Sequence, residues 1–386
     1  MPEPYPLAGV KVLDLTQYVA GPYCSQVLAD LGATVLKVER PGSGDVYRGQ
    51  GPVFLAGESV SFLALNRGKR SVALDLRDAE DQAALRALAA EADVLVENMT
   101  PGTLARRGLG YDELSEVAPR LVYCSISGFG QDGPLAAEGA YDLTIQALSG
   151  LMSMTGHPGQ PPAKVPVAAL DFGSALYAVI GIQAALWQRQ ETGRGQWVQT
   201  SLLETSLAWL SMHIGTRAAG GAEPGPLGTR SPFFAPYEAY ATADGHIVVV
   251  GTGGGDGWER FCAAIDRADL IEDERFADNS LRVRNVEDLR GEVERRMATA
   301  PTAHWEQRLR AANVPCAPVQ TLDEVLASEQ VADLGAVREL DHPVAGPVAE
   351  VRLPLRFSAA AATAERGAPA LDEHAGAGFG EVAGER

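Results

Sequence analysis

Asp171 is the acid in this sequence best placed for covalent chemistry. It follows the apolar run Val165 to Leu170 and precedes the long apolar stretch Phe172 to Arg189. That spacing predicts a helix capped by Asp171 itself. A helix N-terminus favours negative charge, which would keep the carboxylate ionised and favour an anionic intermediate beside it. A carboxylate also needs no partnering base to act as a nucleophile. The competing chemistries lack their residues. Cys24, Cys124, Cys262 and Cys316 are widely separated and never form CxxC, and the six histidines never occur as HxxxH or HExxH. Thiol catalysis, zinc binding and a disulfide framework are therefore not expected.

Three glycine-bearing segments could hold a ligand. Val19-Ala-Gly-Pro22 lies after a predicted strand, with Glu39 further on. It lacks GxGxxG, and Pro22 stands where a dinucleotide loop needs glycine, so a nicotinamide site is disfavoured. Arg40-Pro-Gly-Ser-Gly-Asp45 lies just after a second predicted strand, where Arg40 could meet a phosphate; a plain turn has the same composition. Gly251-Thr-Gly-Gly-Gly-Asp-Gly257 lacks the GK[ST] of a Walker loop. Its glycines suit a mobile lid, exposed backbone N–H groups or a flexible connection.

The elements that must position these residues begin with a βαβ pattern: a strand over 10–15, a loop at TQYVAGP, a helix over 23–31 ended by Gly32, and a strand over 34–39. Further strands are predicted over 70–76, 94–97, 121–127 and 197–203, with a helix over 78–92 capped by Asp78 and helical stretches over 102–107 and 143–152. The alternation predicts an α/β fold built on a parallel, doubly wound sheet. The helix over 172–189 is apolar on most faces, which predicts a buried packing element. Residues 218–226 read as a linker. Beyond it, a hairpin turning at Asp244–Gly245, amphipathic helices between Trp258 and Ala312, and a segment over 315–319 predict a smaller α+β domain. A helix over 323–327, a β-like run over 349–355 and a Gly/Ala-rich tail close the chain.

Composition bounds the class. The chain has 386 residues, 46% hydrophobic and 21% charged, with a formal net charge of −18. It is enough for two or three domains with a large core. The acidic balance disfavours nucleic acid and anionic membranes as partners but permits a small phosphorylated ligand. No apolar run of spanning length and no signal peptide are expected, which points to a soluble, cytoplasmic protein of enzyme size.

Long segments of the chain resemble the class III CoA-transferases, a family that includes formyl-CoA transferase and the carnitine-type enzymes. They are GVKVLDLTQYVAGPYCSQVLADLGATVLKVERPGSGD, NRGKRSVALDL, ADVLVENMTPG, SISGFGQDGP, YDLTIQALSGLMSMTG, ALDFGSALYAVIGIQAAL and TGRGQWV. The resemblance implies that CoA moves from an acyl-CoA donor to a carboxylic acid acceptor through an aspartate nucleophile, the position held here by Asp171. It implies a homodimer of subunits interlocked like chain links. Each would have a large Rossmann-like domain (1–210), a linker (211–230), a small α+β domain (231–322) and a C-terminal return to the large domain (323–386). Coenzyme A would enter as substrate, with no permanently bound cofactor and no metal. By the same resemblance Gln17, Tyr18, Val19, Ala20, Arg40, Leu74, Asn98, Met99, Thr100 and Arg106 occupy CoA-binding positions. Arg77 stands where formyl-CoA transferase has a lysine. A further basic position just before Tyr141 is unmatched, the segment reading Ala137-Glu-Gly-Ala140. Gly253, Gly254 and Gly255 fall on the family's flexible active-site loop.

The rival within that superfamily is α-methylacyl-CoA racemase, which carries His before Asp where this chain has Tyr141-Asp142. Tyrosine does not titrate near neutrality as imidazole does, so transfer is preferred. Gln50, Tyr141 and Asp142 are the candidate acyl-pocket residues. Formyl-CoA transferases carry Trp at the position of Gln50. Gln50 with nearby Arg48 would suit a polar or dicarboxylic acid.

Overall fold

The computed structural model describes residues 5–251 and 255–382. It divides into two compact units. One holds residues up to Met152, Lys164–Ala222 and the chain from Gln330 onward; the other holds Ser153–Ala163 and Glu223–Glu329.

The first unit is built on six parallel strands: β1 (Lys11–Leu15), β2 (Thr34–Glu39), β5 (Lys69–Ala73), β6 (Val94–Glu97), β7 (Val122–Ser127) and β8 (Trp197–Ser201). A short hairpin, β3 (Phe54–Leu55) and β4 (Glu58–Ser59), lies apart from them. The sheet order is β5-β2-β1-β6-β7-β8. Counting outward from β1, the chain fills one side of the sheet and then the other, so the order reverses between β1 and β6. In an open α/β sheet that reversal opens a crevice beyond the carboxyl ends of the strands. The strands alternate their faces as pleating requires. Val12, Val35, Val94, Val96, Val122 and Ile126 join one core with α1 (Ala20–Asp30) and α7 (Ala169–Thr192). Leu13, Leu15, Leu36, Val38, Leu95 and Tyr123 join the opposite core with α3 (Ala79–Glu91) and α4 (Tyr111–Val117). Helix α2 (Val60–Asn66) precedes β5, while α5 (Asp142–Leu148) and α6 (Leu151–Met154) precede α7. The chain after β8 runs through α8 (Leu202–Trp209) and α9 (Ser211–Ala218), the second within the stretch predicted as linker.

Four expectations about these elements need correction. Helix α1 begins at Ala20 rather than Tyr23, because Pro22 sits in the first turn, whose N–H groups need no helical partner. Gly21 is there for packing: a Cβ would meet the Thr16 side chain at 2.3 Å. Helix α7 starts at Ala169, placing Asp171 in its first turn instead of at its cap. The helix is also not buried on most faces, since Leu176, Tyr177, Ile180 and Trp187 are exposed. By length and composition α7 could cross a membrane, against the expectation that no such run exists. Its other face is packed in the sheet core, as in the core helix of a globular unit.

The last part of the chain packs back onto this sheet. Strands β12 (Val337–His342) and β13 (Gly346–Val351) pair as a hairpin, so the run read over 349–355 is only its second half. Asp372 accepts the Ala73 N–H, and the Ala364 N–H donates to Asp30. Within the second unit β9 (Tyr237–Ala241), β10 (His246–Val250) and β11 (Cys316–Pro318) form an antiparallel sheet. Helices α10 (Gly257–Ala264), α11 (Asn279–Arg284), α12 (Val286–Met297) and α13 (Thr302–Ala311) belong to the same unit, with Phe261, Leu289, Val293 and Trp305 in its core.

Candidate active site

Two cavities lie at the carboxyl edge of the six-stranded sheet, and both are lined by Gln17 and Met99. The loops that follow β1 and β6 supply these two residues, so the shared wall sits at the reversal of strand order. The larger cavity, about 570 Å³, is lined by Arg40, Leu74, Arg77 and Arg107, together with Asp45 and Asp75. The other, about 430 Å³, is lined by Tyr18, Val19, Ala20, Tyr47, Asn98, Thr100, Tyr141 and Asp171. Cavities of this size suit a ligand of cofactor dimensions.

The loop after β1 is held by side chains from three directions. Lys37 Nζ donates to the Thr16 carbonyl at 2.7 Å. The Gln17 N–H donates to Asn98 Oδ1 at 3.0 Å, while Asn98 Nδ2 donates to the Gln17 carbonyl at 2.8 Å. The Tyr18 N–H donates to Asp45 Oδ1 at 3.2 Å. Lys37 and Asp45 are fully buried as an ion pair at 2.9 Å. Burial disfavours the Lys37 ammonium, but the facing carboxylates of Asp14, Asp45 and Glu39 outweigh it and raise its pKa.

Asp171 owes its position to α5. The Leu170 N–H donates to Asp142 Oδ1 at 2.7 Å, which caps α7 from another helix and leaves Asp171 free of that task. Burial pushes the Asp171 carboxyl up to about 7, and the Asp142 charge pushes the same way. The expectation of a carboxylate kept ionised by its helix is thus corrected: in the free enzyme Asp171 titrates near neutrality. Tyr18 lies edge-on to Tyr47 and Tyr141, at ring separations of 5.7 and 5.9 Å. Burial raises the Tyr47 hydroxyl and the nearby Asp171 charge adds to it.

The structure brings Gln17, Tyr18, Val19, Ala20, Asn98, Met99, Thr100, Tyr141 and Asp171 into one wall, with Arg40, Leu74 and Arg77 across the shared edge. Three other expected residues, Arg106, Gln50 and Asp142, line neither cavity. Arg106 is exposed, bonds Thr103 and lines neither cavity; its neighbour Arg107 does. Gln50 is exposed and lines neither, its carbonyl accepting from Ser59. Asp142 stands behind Asp171 rather than in the cavity. Gly255 belongs to the second unit, and Gly253 and Gly254 lie outside the described residues. Arg48 is engaged by both oxygens of Glu39 at 2.7 Å and stacks on Phe62 at 3.7 Å, so it is not available to an acyl carboxylate. Among the described residues no group of His, Cys, Asp and Glu could hold a metal ion. Sequence reasoning missed Tyr47, Arg107, Lys37 and Asp45. The signal for Lys37 was present: Asp14 and Lys37 interrupt two otherwise apolar strands and face each other in register.

Comparison with known proteins follows the same lines. Residues 7–375 match the family model described as CoA-transferase family III. The chain is 38% identical to human succinyl-CoA:glutarate CoA-transferase over 369 residues, 96% of this chain and 84% of that one. It is 38% identical to a succinate–glutarate CoA-transferase of Agrobacterium fabrum, covering 96% of this chain and 94% of the relative. Among solved structures, a CAIB/BAIF family protein from Brucella suis superposes with a TM-score of 0.86 at 37% identity, covering 96% and 98% of the two chains.

Proposed function

The chain belongs to CoA-transferase family III, and from that premise we propose that Asp171 is the nucleophile that carries CoA between two carboxylic acids. The observation behind this reading is the junction of the two cavities. A half-buried carboxyl in the first turn of a helix faces one of them, and three arginines line the other, with Gln17 and Met99 common to both. The arginines suit the phosphates of CoA, and the shared edge suits passage of its pantetheine arm toward Asp171.

Four steps balance. The Asp171 carboxylate attacks the donor thioester carbonyl, the C–S bond breaks, and a mixed anhydride and CoA thiolate result. The thiolate attacks the aspartyl carbonyl and releases the donor acid, leaving an aspartyl-CoA thioester. The acceptor carboxylate attacks that thioester and expels the thiolate, forming a second anhydride. Finally the thiolate attacks the acyl carbonyl of this anhydride, which yields the new acyl-CoA and the free Asp171 carboxylate. One thioester replaces another, so the cycle needs no external energy source. Each tetrahedral intermediate puts charge on oxygen, and a preorganised donor there contributes about 3–4 kcal/mol. Backbone N–H groups at the start of α7 are candidates.

The two relatives named for succinyl-CoA or succinate and for glutarate make short dicarboxylic acids the substrates to test first. Among the described residues no Lys or Arg lines the Asp171 cavity; there the distal carboxylate would meet the hydroxyls of Tyr18, Tyr47 and Tyr141. The reading also includes an interlocked homodimer of Rossmann-like large domains, in the cytoplasm. The exposed apolar row of Leu176, Ile180, Trp187, Leu207 and Met212 on α7 to α9 supports a partner copy there. The four free cysteines suit a reducing compartment.

The deciding experiment is intact-mass analysis of protein quenched during turnover with succinyl-CoA and glutarate. An adduct of CoA or acyl mass on Asp171 is expected, and Asp171→Ala should abolish both adduct and transfer while retaining CoA binding. Transfer by Asp171→Ala at an undiminished rate would refute the assignment.

A further inference from the structure

We infer that Asp45 is a positioning residue for CoA transfer: its Oδ1 holds Tyr18, which lines the Asp171 cavity next to the shared Gln17, in a left-handed backbone. The inference rests on the proposed role of Asp171 and goes beyond it. Tyr18 has a φ of 67°, a region that a bulky residue with a Cβ adopts only when its surroundings over-determine it. The surroundings here do so. Three side chains from separate segments fix the backbone of three successive residues, Lys37 at Thr16, Asn98 at Gln17 and Asp45 at Tyr18.

Asp45 is the member that reaches both cavities. Its residue lines the larger one, while its Oδ1 accepts the N–H groups of Tyr18 and Tyr47, at 3.2 and 3.0 Å. A single carboxylate oxygen thereby places two of the three tyrosines that line the Asp171 cavity. The other oxygen pairs with Lys37 at 2.9 Å, and the Asp45 N–H donates to Glu39 Oε2 at 2.9 Å. The Arg40-Pro-Gly-Ser-Gly-Asp45 segment therefore does more than turn the chain. It carries Asp45 from the end of β2 to the loop after β1. Both N–H groups that Asp45 Oδ1 accepts belong to residues lining the Asp171 cavity, so its loss is expected to disturb placement there, while Lys37 keeps the Thr16 carbonyl as a partner.

The test is a double-mutant cycle with kcat and KM measured for succinyl-CoA and glutarate. Asp45→Ala should lower kcat about 100-fold, the scale of a misplacement near 1 Å, with a smaller rise in KM for the acyl-CoA. In a Tyr18→Gly background, where glycine adopts positive φ unaided, the same substitution should cost less than about fivefold. An equal loss in both backgrounds overturns the inference, as does a folded Asp45→Ala protein with kcat within about threefold of the unmodified one. Should Asp45→Ala fail to fold, Asp45→Asn decides. It keeps an acceptor oxygen for Tyr18 and should retain kcat within about tenfold, whereas a hundredfold loss would assign the effect to the Lys37 pair and overturn the positioning role. The adduct on Asp171 separates the two readings. Its absence in the unmodified protein sinks the nucleophile, while its presence with indifferent Asp45 variants sinks only the present inference.

Discussion

Asp171→Asn should make the protein more stable, and only above a particular pH. The Asp171 carboxyl moves from 3.8 unfolded to about 7 folded, chiefly because burial penalises its charged form. Between those values the folded protein holds a proton that the unfolded chain has released, so stability falls as pH rises. The contribution is complete below the unfolded value and gone once pH has passed through the folded one. A gap of this size corresponds to about 4 kcal/mol, at about 1.4 kcal/mol per pKa unit. Asp171 borders an open cavity where water screens part of the penalty, so about 2 kcal/mol is the expected effect. Asparagine is neutral throughout and escapes it. Thermal melts from pH 4.5 to 8.5 should therefore show two curves that nearly meet at the acidic end. By pH 8 the variant should melt about 4 °C higher, at about 2 °C per kcal/mol for a unit of this size. A variant that is no more stable at pH 8, or equally more stable at every pH, would refute the argument that burial of an ionisable group sets this cost.

If Asp171 is the proposed nucleophile, transfer should rise with pH through about 7, because only its ionised form would attack. Asp142→Asn retains an acceptor for the Leu170 N–H while removing a neighbouring charge, so the acid limb of the kcat/KM profile should move to lower pH; a limb that stays in place would remove Asp142 from that role. Arg107→Ala should raise KM for CoA about tenfold through loss of a charge-assisted contact, with kcat little changed. Arg106→Ala should change KM by less than about twofold, and titration calorimetry with free CoA would reveal a reversed order.

The sheet was legible because each strand carried its own signal. VKVLDL, TVLKVE and VLVE are short apolar runs between turn residues, and all three are strands within a residue of the expected limits. What escaped was fixed by contacts distant in sequence. Nothing near Asp171 announces that Asp142 would cap its helix, so a local reading assigned the cap to Asp171 itself. Apolar composition made α7 read as buried, yet a row of its side chains is exposed in the single chain. Arg106 and Arg107 are adjacent, and only the turn of the short 3₁₀ segment Ala105–Arg107 decides which of them reaches the cavity.

The two aspartates at the start of α7 explain why this site need not borrow a base. If Asp171 capped its own helix, its oxygens would be tied to backbone N–H groups, its charge stabilised and its nucleophilicity reduced. With Asp142 accepting the Leu170 N–H instead, that capping task is met from α5 and the Asp171 oxygens are left for the proposed substrate. The price is a carboxyl less fully ionised at neutral pH. In the proposed mechanism, its higher basicity would make the ionised fraction a stronger attacker on a thioester. A site designed merely to end a helix would place the acid at the cap, whereas this one places it in the first turn, facing a cavity.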